Sequence, residues 1–270
     1  FDAMVTDNHR WVKKRTCSSR PLGFTTTQEA TKKKMILKIA GGDYKAPKKA
    51  AYSDEFVELV GWYITEGWFQ KYGQGVQIAQ SSKRNPKYVE RIRKLAEHFN
   101  TKGATVSEYT RDVGWGDIHS FYFGKGIGGL LREAAPGKEL RPEFLLSLTK
   151  KQLLLLYKTL MDGDGTRDKR NKNGDPHERW TQFDEQRQDG FQMLCALLGK
   201  RTHNRDGRIS VYKSEDIYTN SLKTEKVYYK GPIWCVTTAD GTWFARRNGV
   251  TYWTGNSRLT PKEKVLRTYA

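Results

Sequence analysis

The sequence predicts an α+β protein in which a duplicated region of helices and strands is followed by a β-rich tail. Between residues 51 and 215 the order helix, strands, helix, strands occurs twice. After about Glu225 the chain consists of short β-rich pieces separated by Gly, Asp and Asn turns, which indicates an all-β unit. A chain of 270 residues with 37% hydrophobic residues is long enough for two modest domains with cores of their own.

The first helix of each half has a clear start. Ser53 is a good N-cap for a helix that has two acidic residues in its first turn and stops at Gly67. In the second half, Thr149 and Gln152 have the spacing of a capping box, and the run LLLLYKTLMDGDG follows them. These two signals predict that the halves begin with equivalent helices.

Each of these two helices ends on an acidic residue that is followed by glycine. Small residues four positions apart lie on one face of a helix and allow a second helix to approach closely. We expect the terminal glycine to adopt a left-handed cap and the two helices to pack side by side, with their two carboxylates together. The alignment of LVGWYITEG with TLMDGDG matches Gly61 with Thr159, Thr65 with Gly163, Glu66 with Asp164, and Gly67 with Gly165.

Two carboxylates at two negative helix ends are electrostatically unfavourable. At a separation of about 4 Å and an effective dielectric constant of about 20, they repel by roughly 4 kcal/mol. A hard divalent cation removes this repulsion, and it suits phosphodiester hydrolysis because it activates water and stabilises the leaving oxygen. The alternative is a pair of ordinary core helices with solvated acids. The occurrence of both copies in register within a duplicated pattern favours the metal site.

These motifs, with the preceding stretch KELRPEFLLSLTKKQ, resemble the two-repeat LAGLIDADG homing endonucleases. The resemblance implies αββαββα repeats, two four-stranded antiparallel saddles on double-stranded DNA, and Mg²⁺-dependent cleavage of both strands. Glu66 and Asp164 match the family's metal-binding acids. Lys138 and Lys213 occupy places where the family carries basic residues that assist catalysis, although an ordinary DNA-facing or solvated lysine is the alternative for each. Thr159 departs from the family, in which glycine is usual.

Both ends of the chain carry a second set of motifs. The segment from Thr6 to His9 resembles the TxxH block of inteins and related Hint domains, and residues 231–257 resemble the two C-terminal intein blocks. Asn256 has the chemistry to cyclise through its own side-chain amide and so cleave the bond after it, and Ser257 can accept an acyl group through its hydroxyl. The resemblance implies that His9 polarises or protonates the upstream scissile amide.

A more specific resemblance concerns the nucleophile. Trp11, Cys235 and Thr254 fall where class 3 inteins carry their Trp-Cys-Thr set. This implies that the Cys235 thiolate attacks the upstream junction and forms a branched thioester. Ser257 then takes over the acyl chain, and cyclisation of Asn256 releases the intein. Trp11 and Thr254 would position and activate the thiol, which needs a lowered pKa to attack well. The alternative for Cys235 is a buried small hydrophobic residue.

Together the two resemblances predict a Hint splicing domain that an endonuclease interrupts. The expected parts are residues 1–50, an N-terminal Hint segment that lacks the first splicing block; 51–215, the LAGLIDADG endonuclease; 216–256, the C-terminal Hint segment; and 257–270, host protein. Splicing is expected to need no cofactor and to act on the host exteins in cis. Gly255 stands where many inteins carry a penultimate histidine that assists cyclisation.

The charge of the chain agrees with a polyanionic partner. Lys and Arg number 48 against 30 Asp and Glu, a formal charge of +18, and nucleic acid is the partner that such a surplus favours. Charge alone does not separate DNA from RNA or anionic lipid, so a non-enzymatic DNA-binding module and an RNA maturase stay as alternatives. The absence of a long apolar run or signal peptide, with three cysteines lacking CxxC spacing, predicts a cytoplasmic protein without membrane contact. We also expect a monomer.

Overall fold

The computed structural model describes seven stretches of the chain. They are residues 3–14, 22–41, 44–70, 74–114, 116–168, 177–232 and 236–256. The structure is mixed α/β and divides into two compact units. The first unit comprises Phe1–Tyr44, Gly199–Arg205 and Val211–Ala270, and the second comprises Lys45–Leu198 and Asp206–Ser210. Within the described stretches, none of the helices is long and apolar enough to cross a membrane.

Seven helices and fourteen strands lie within the described residues. The helices are α1 (Thr27–Lys32), α2 (Asp54–Glu66), α3 (Pro86–Thr101), α4 (Lys125–Ala134), α5 (Pro142–Ser147), α6 (Lys150–Gly163) and α7 (Glu185–Leu197). The strands are β1 (Arg10–Lys14), β2 (Leu22–Thr26), β3 (Ile36–Lys38), β4 (Gly67–Phe69), β5 (Val76–Ser81), β6 (Val106–Asp112), β7 (Asp117–Phe123), β8 (Gly165–Asp168), β9 (His177–Thr181), β10 (Arg201–Arg205), β11 (Arg208–Tyr212), β12 (Asp216–Tyr218), β13 (Thr242–Arg247) and β14 (Val250–Gly255).

The starts of α2 and α6 confirm the sequence prediction. The Ser53 hydroxyl accepts a hydrogen bond of 3.1 Å from the backbone N–H of Phe56. At α6 the capping box is complete, because the Thr149 hydroxyl accepts from the Gln152 N–H at 3.3 Å and the Gln152 side-chain oxygen accepts from the Thr149 N–H at 3.2 Å. Two N–H groups that have no partner within the helix are thereby satisfied.

The expected left-handed caps at the ends of α2 and α6 are wrong. Gly67 has a φ of −97°, an extended conformation, and Gly165 is not among the glycines with positive φ. Glycine is required at both positions because there is no room for a side chain. A Cβ on Gly67 would lie 2.7 Å from the carbonyl oxygen of Tyr63, and one on Gly165 would lie 2.3 Å from that of Met161. The missing side chain therefore lets each chain turn directly from helix into strand.

The second unit repeats the order helix, strand, strand, helix. In the first half α2 is followed by β4, β5 and α3, and in the second half α6 is followed by β8, β9 and α7. The first half forms a four-stranded antiparallel sheet in the order β4-β5-β7-β6. In the second half β8 pairs antiparallel with β9. Each half has an aromatic core, with Phe121 and Phe123 buried in the first and Trp180 stacked on Phe191 at 4.4 Å in the second.

The first unit is mainly β-structure. One antiparallel sheet has the order β12-β3-β1-β2, and β14 pairs antiparallel with both β13 and β10. Its core contains the buried side chains of Trp11, Leu37, Ile39 and Tyr252. The prediction of an all-β unit missed the short helix α1. A local interaction stabilises α1, since Thr26 and Glu29 form a capping box at the start of this helix.

Candidate functional site

The helices α2 and α6 pack against each other along a seam of four small residues, Gly61, Thr65, Thr159 and Gly163. A Cβ on Gly61 would lie 2.7 Å from the Thr159 methyl carbon, and one on Gly163 would lie 2.3 Å from the Thr65 hydroxyl oxygen. The residues that the sequence alignment matched therefore face each other across the seam. The Thr159 hydroxyl is satisfied within its own helix by the Leu155 carbonyl at 3.0 Å, so only its methyl group fills the space beside Gly61.

Replacement of Gly163 by leucine is expected to destabilise the second unit. The larger side chain overpacks the seam at Thr65, which typically costs about 1–3 kcal/mol. Thermal unfolding monitored by circular dichroism measures the effect as a lower Tm. Gly129→Leu is the matched control, because this exposed helical glycine has nothing within 4 Å of its added Cβ. Equal melting temperatures for Gly163→Leu and the wild type would show that the helices do not touch at this position.

The two acidic residues at the end of the seam, Glu66 and Asp164, form an electrostatically coupled pair. Glu66 is the last residue of α2, Asp164 is the C-cap of α6, and both are half-buried. Burial raises the pKa of Asp164 from its usual 3.8 to about 6, and the negative charge of Glu66 contributes to the increase. Burial also raises the pKa of Glu66. Both carboxylates are therefore partly desolvated, and the charge of Glu66 acts on Asp164.

Two glutamines that the sequence analysis did not single out hold this acidic pair in the same way. The Gln80 side-chain amide donates to the Glu66 carboxylate at 3.3 Å, and that of Gln182 donates to the Asp164 carboxylate at 3.4 Å. In both glutamines the amide oxygen accepts from the backbone N–H of the following residue, at 3.0 and 3.3 Å. This second bond directs the NH₂ group toward the carboxylate. The signal that could have revealed them is a glutamine at or just after the strand end in each half.

Two basic side chains, Lys138 and Arg187, lie close enough to Asp164 to affect its pKa. Lys138 is half-buried, and burial lowers its pKa, as does the positive charge of Arg187, whereas Asp164 and Glu66 raise it. Lys138 has a φ of 69°, a left-handed conformation that is uncommon for a residue other than glycine and is often found at functional sites. Arg187, which the sequence analysis did not single out, donates to the carbonyl of Gly137 at 3.3 Å. Lys213 is exposed and belongs to the first unit.

The acidic pair fits a hard divalent cation. Carboxylate oxygens are the ligands that Mg²⁺ prefers, and Mg²⁺ sites commonly use one or two carboxylates and complete the shell with water and substrate phosphate. Among the described residues no group of three or more His, Cys, Asp or Glu side chains could hold a metal ion. Glu66 and Asp164 are the two carboxylates that this pair offers to a cation. Two nearby negative charges repel each other and raise the carboxyl pKa, and a bound cation would offset this repulsion.

The raised pKa of Asp164 predicts a pH-dependent stability effect. The folded-state pKa of about 6 exceeds the usual 3.8, so the folded state binds the proton more tightly and stability declines as the pH rises from about 4 to about 6. We expect Asp164→Asn to raise the Tm at pH 7.5 in EDTA by a few degrees, and we expect the gain to vanish near pH 4. Scanning calorimetry at both values tests this. A gain of the same size at both would assign it to packing rather than to charge.

In the first unit, His9 and Thr254 form a buried pair. The Nε2 atom of His9 lies 2.6 Å from the Thr254 hydroxyl oxygen. Burial and, to a smaller extent, the charge of Arg10 lower the pKa of His9 from its usual 6.5 to about 4. The imidazole is therefore neutral near pH 7. It can donate or accept a hydrogen bond there, depending on its tautomer, but it does not carry a charge.

The residues around His9 make the TxxH segment a hydrogen-bonded turn. The backbone N–H of His9 donates to the Thr6 carbonyl at 3.1 Å, and the Thr6 hydroxyl donates to the Asn8 side-chain oxygen at 2.6 Å. The Trp11 indole N–H donates to the Thr27 hydroxyl at 3.0 Å, and its ring meets the His9 ring edge-on at 4.9 Å. Trp11 thus fixes one side of the imidazole, and Thr254 binds its nitrogen.

Asn256 is buried at the end of β14. Its N–H donates to the Gly241 carbonyl at 3.2 Å, and its own carbonyl accepts from the Arg10 Nε–H at 2.9 Å. Its side-chain oxygen is buried without a hydrogen-bond partner among the described residues. The neighbouring Gly255 packs against the first strand, since a Cβ there would lie 2.6 Å from the Arg10 carbonyl oxygen. The predicted nucleophiles Cys235 and Ser257 lie outside the described residues.

Comparisons with known proteins give a short sequence match and structural matches with low TM-scores. No family model matches the chain. A segment of 44 residues, 16% of this chain, is 39% identical to the ATP-dependent Clp protease proteolytic subunit of Chlamydomonas moewusii, and the match spans only 4% of that protein's length. A structure of I-DmoI in complex with DNA and Ca is 14% identical over 59% of this chain and 83% of that chain, with a TM-score of 0.42. The N-terminal LAGLIDADG domain of DUF199/WhiA is 15% identical over 62% of this chain and 80% of that chain, with a TM-score of 0.39.

Proposed function

We propose that the second unit is a LAGLIDADG-type homing endonuclease that cuts both strands of a DNA target, and that the first unit is an intein splicing domain. The observation that carries the endonuclease proposal is the acidic pair at the end of the seam between α2 and α6. Each of its carboxylates accepts from an equivalent glutamine, and Lys138 and Arg187 lie in its field. At TM-scores of the size reported above, structural likeness adds nothing to this observation.

In the endonuclease, Glu66 and Asp164 would hold Mg²⁺. When bound there, the ion supplies an activated water and neutralises charge on the leaving oxygen. Each glutamine amide would hold one of the two carboxylates in position. Lys138 and Arg187 offer positive charge to the phosphate that approaches the acids, and their partial burial strengthens this attraction. The formal charge of +18 supports a DNA backbone as the partner that brings the phosphate to this site.

In the splicing domain, the proposal rests on the buried hydrogen bond between His9 and Thr254 and on the buried Asn256 that follows β14. The neutral His9 imidazole would polarise the upstream scissile amide by hydrogen bonding, with Thr254 and Trp11 holding the ring. Cys235 would form the branched thioester, Ser257 would accept the acyl chain, and cyclisation of Asn256 would release the intein. The division of the chain into two compact units supports an insertion, since the first unit draws on segments from both ends of the chain.

Cleavage of supercoiled plasmid DNA carrying candidate target sites tests the endonuclease proposal. We expect nicked and linear products with Mg²⁺ and none with EDTA. A non-enzymatic DNA-binding module would shift the plasmid in a gel without cutting it under either condition. An RNA maturase would bind its structured RNA more tightly than duplex DNA in a competition experiment at the same salt concentration.

A further inference from the structure

Arg10 contacts the carbonyl group that the proposed splicing reaction attacks. Its Nε–H donates to the Asn256 backbone oxygen at 2.9 Å. That oxygen belongs to the peptide bond that follows Asn256, the bond that asparagine cyclisation would break. Arg10 was not among the residues that the sequence motifs single out, because the TxxH pattern ends one position before it.

The guanidinium of Arg10 is held in place before any reaction. Its central carbon lies 4.8 Å from the centroid of the Phe24 ring, a cation–π distance. The guanidinium also lies beside Gly241, since a Cβ there would be 3.5 Å from an Arg10 Nη atom, an ordinary van der Waals distance. Gly241 also accepts the N–H of Asn256 at 3.2 Å. The guanidinium and the Asn256 peptide group are therefore fixed against the same turn.

The residue before Asn256 is a glycine, so it has no side chain that could assist at this carbonyl. Gly255 presents only backbone next to Asn256, and that backbone packs against the carbonyl of Arg10. The nearby imidazole of His9 is engaged with Thr254 and is neutral near pH 7 because burial lowers its pKa to about 4. Within the described part of the chain, Arg10 is the cation that donates to the Asn256 carbonyl.

We propose that Arg10 is a catalytic residue that stabilises the oxyanion formed on Asn256 during asparagine cyclisation, an inference that rests on the proposed splicing function. The Asn256 side-chain nitrogen forms a bond to the Asn256 carbonyl carbon, and an electron pair moves onto the carbonyl oxygen that Arg10 contacts. Collapse of this intermediate breaks the bond to the nitrogen of Ser257 and leaves a succinimide. The proton that the side-chain nitrogen loses is balanced by the proton that the released amine gains.

A charged donor aimed at the developing oxyanion has a large effect on rate. Removal of one such donor from an enzyme typically slows the reaction about 10²–10³-fold. The effect is large because the donor is already oriented and the site is partly dry, so no reorganisation is needed when the charge forms. We therefore expect loss of the guanidinium to slow cleavage after Asn256 by about 10²–10³-fold, with the fold of the unit retained.

The test uses the full 270-residue chain and follows release of residues 257–270 by intact mass spectrometry over time. Arg10→Ala should slow this release by about 10²–10³-fold, and Arg10→Lys should slow it less because it keeps a cation on a different stem. Millimolar guanidinium should restore part of the Arg10→Ala rate, which a purely structural loss would not allow. Lys13→Met, on the same strand, is the matched control and should cleave at the wild-type rate.

The outcomes separate the inference from the function on which it rests. Wild-type cleavage that Asn256→Ala abolishes, with unchanged rates in both Arg10 variants, would overturn the role of Arg10 and leave the splicing proposal standing. If Arg10→Ala fails to fold, the uncharged variant Arg10→Met replaces it, and full-rate cleavage by Arg10→Met alongside Asn256-dependent wild-type cleavage would have the same meaning. No release from the wild type would overturn the splicing proposal and the role of Arg10 with it.

Discussion

Glu66→Gln and Asp164→Asn should each abolish Mg²⁺-dependent DNA cleavage and leave DNA binding largely intact. The two substitutions keep the size of the side chain and its ability to accept a hydrogen bond, but they remove the negative charge that a divalent cation requires. Binding should survive because phosphate contacts come from lysine and arginine and depend on salt rather than on the acidic pair. Plasmid cleavage measures the first effect, and electrophoretic mobility shift at two salt concentrations measures the second.

Gln80→Glu provides a useful comparison for these variants. It introduces a third carboxylate beside Glu66, where the amide now donates at 3.3 Å, and the added repulsion should weaken cleavage without removing either acid. Full cutting by Glu66→Gln or by Asp164→Asn would show that these residues do not hold the metal. Loss of DNA binding in parallel with loss of cutting would point instead to a fold that depends on the two acids.

In a precursor that joins an N-terminal splicing segment and an upstream extein to this chain, Cys235→Ala should block both branching and ligation. The reason is that the resemblance to class 3 inteins, carried by Trp11, Cys235 and Thr254, implies Cys235 as the nucleophile at the upstream junction. Asn256→Ala should instead let the branched ester accumulate, because acyl transfer to Ser257 precedes asparagine cyclisation. Denaturing gel electrophoresis separates the branched species from the ligated exteins, and mass spectrometry identifies them.

Glu66→Gln is the matched control for the splicing variants, because the proposed nuclease and splicing chemistries use separate units of the chain. It should splice at the wild-type rate in the same precursor. Ligated exteins from the Cys235→Ala precursor would mean that a nucleophile in the added N-terminal segment performs the first step. The class 3 assignment would then be wrong, although the chain would still be a splicing element.

Local signals predicted the starts of α2 and α6 correctly. The caps at Ser53 and at Thr149 with Gln152 are interactions between residues a few positions apart, so their pattern is visible in the sequence. The pairing of Gly61 with Thr159 also came from the sequence, because a near-twofold arrangement of two copies brings equivalent residues together. The conformation of Gly67 was predicted wrongly, since the reason for glycine there is the crowding of a helix end by the strand that follows it.

The supporting residues of the candidate sites were the part that sequence patterns did not reveal. Gln80 and Gln182 matter because of where two strand ends point, and Arg187 because its helix brings it near the two acids, which depends on tertiary packing. Arg10 is one of 48 basic residues, and its bond to Asn256 joins positions that are far apart in sequence. Cys235 and Ser257 lie outside the described residues, so their roles stay predictions.

The seam between α2 and α6 also has a consequence for self-association. Each helix offers one glycine and one threonine, and each glycine accommodates the threonine of the other helix. Two copies of the first half would face Gly61 with Gly61 and Thr65 with Thr65, which leaves a gap at one level and a collision at the other. Two copies of the second half would meet the same mismatch with Thr159 and Gly163. The two halves are therefore shaped as complementary rather than interchangeable partners, so neither half separated from the other is suited to form a twofold symmetric dimer.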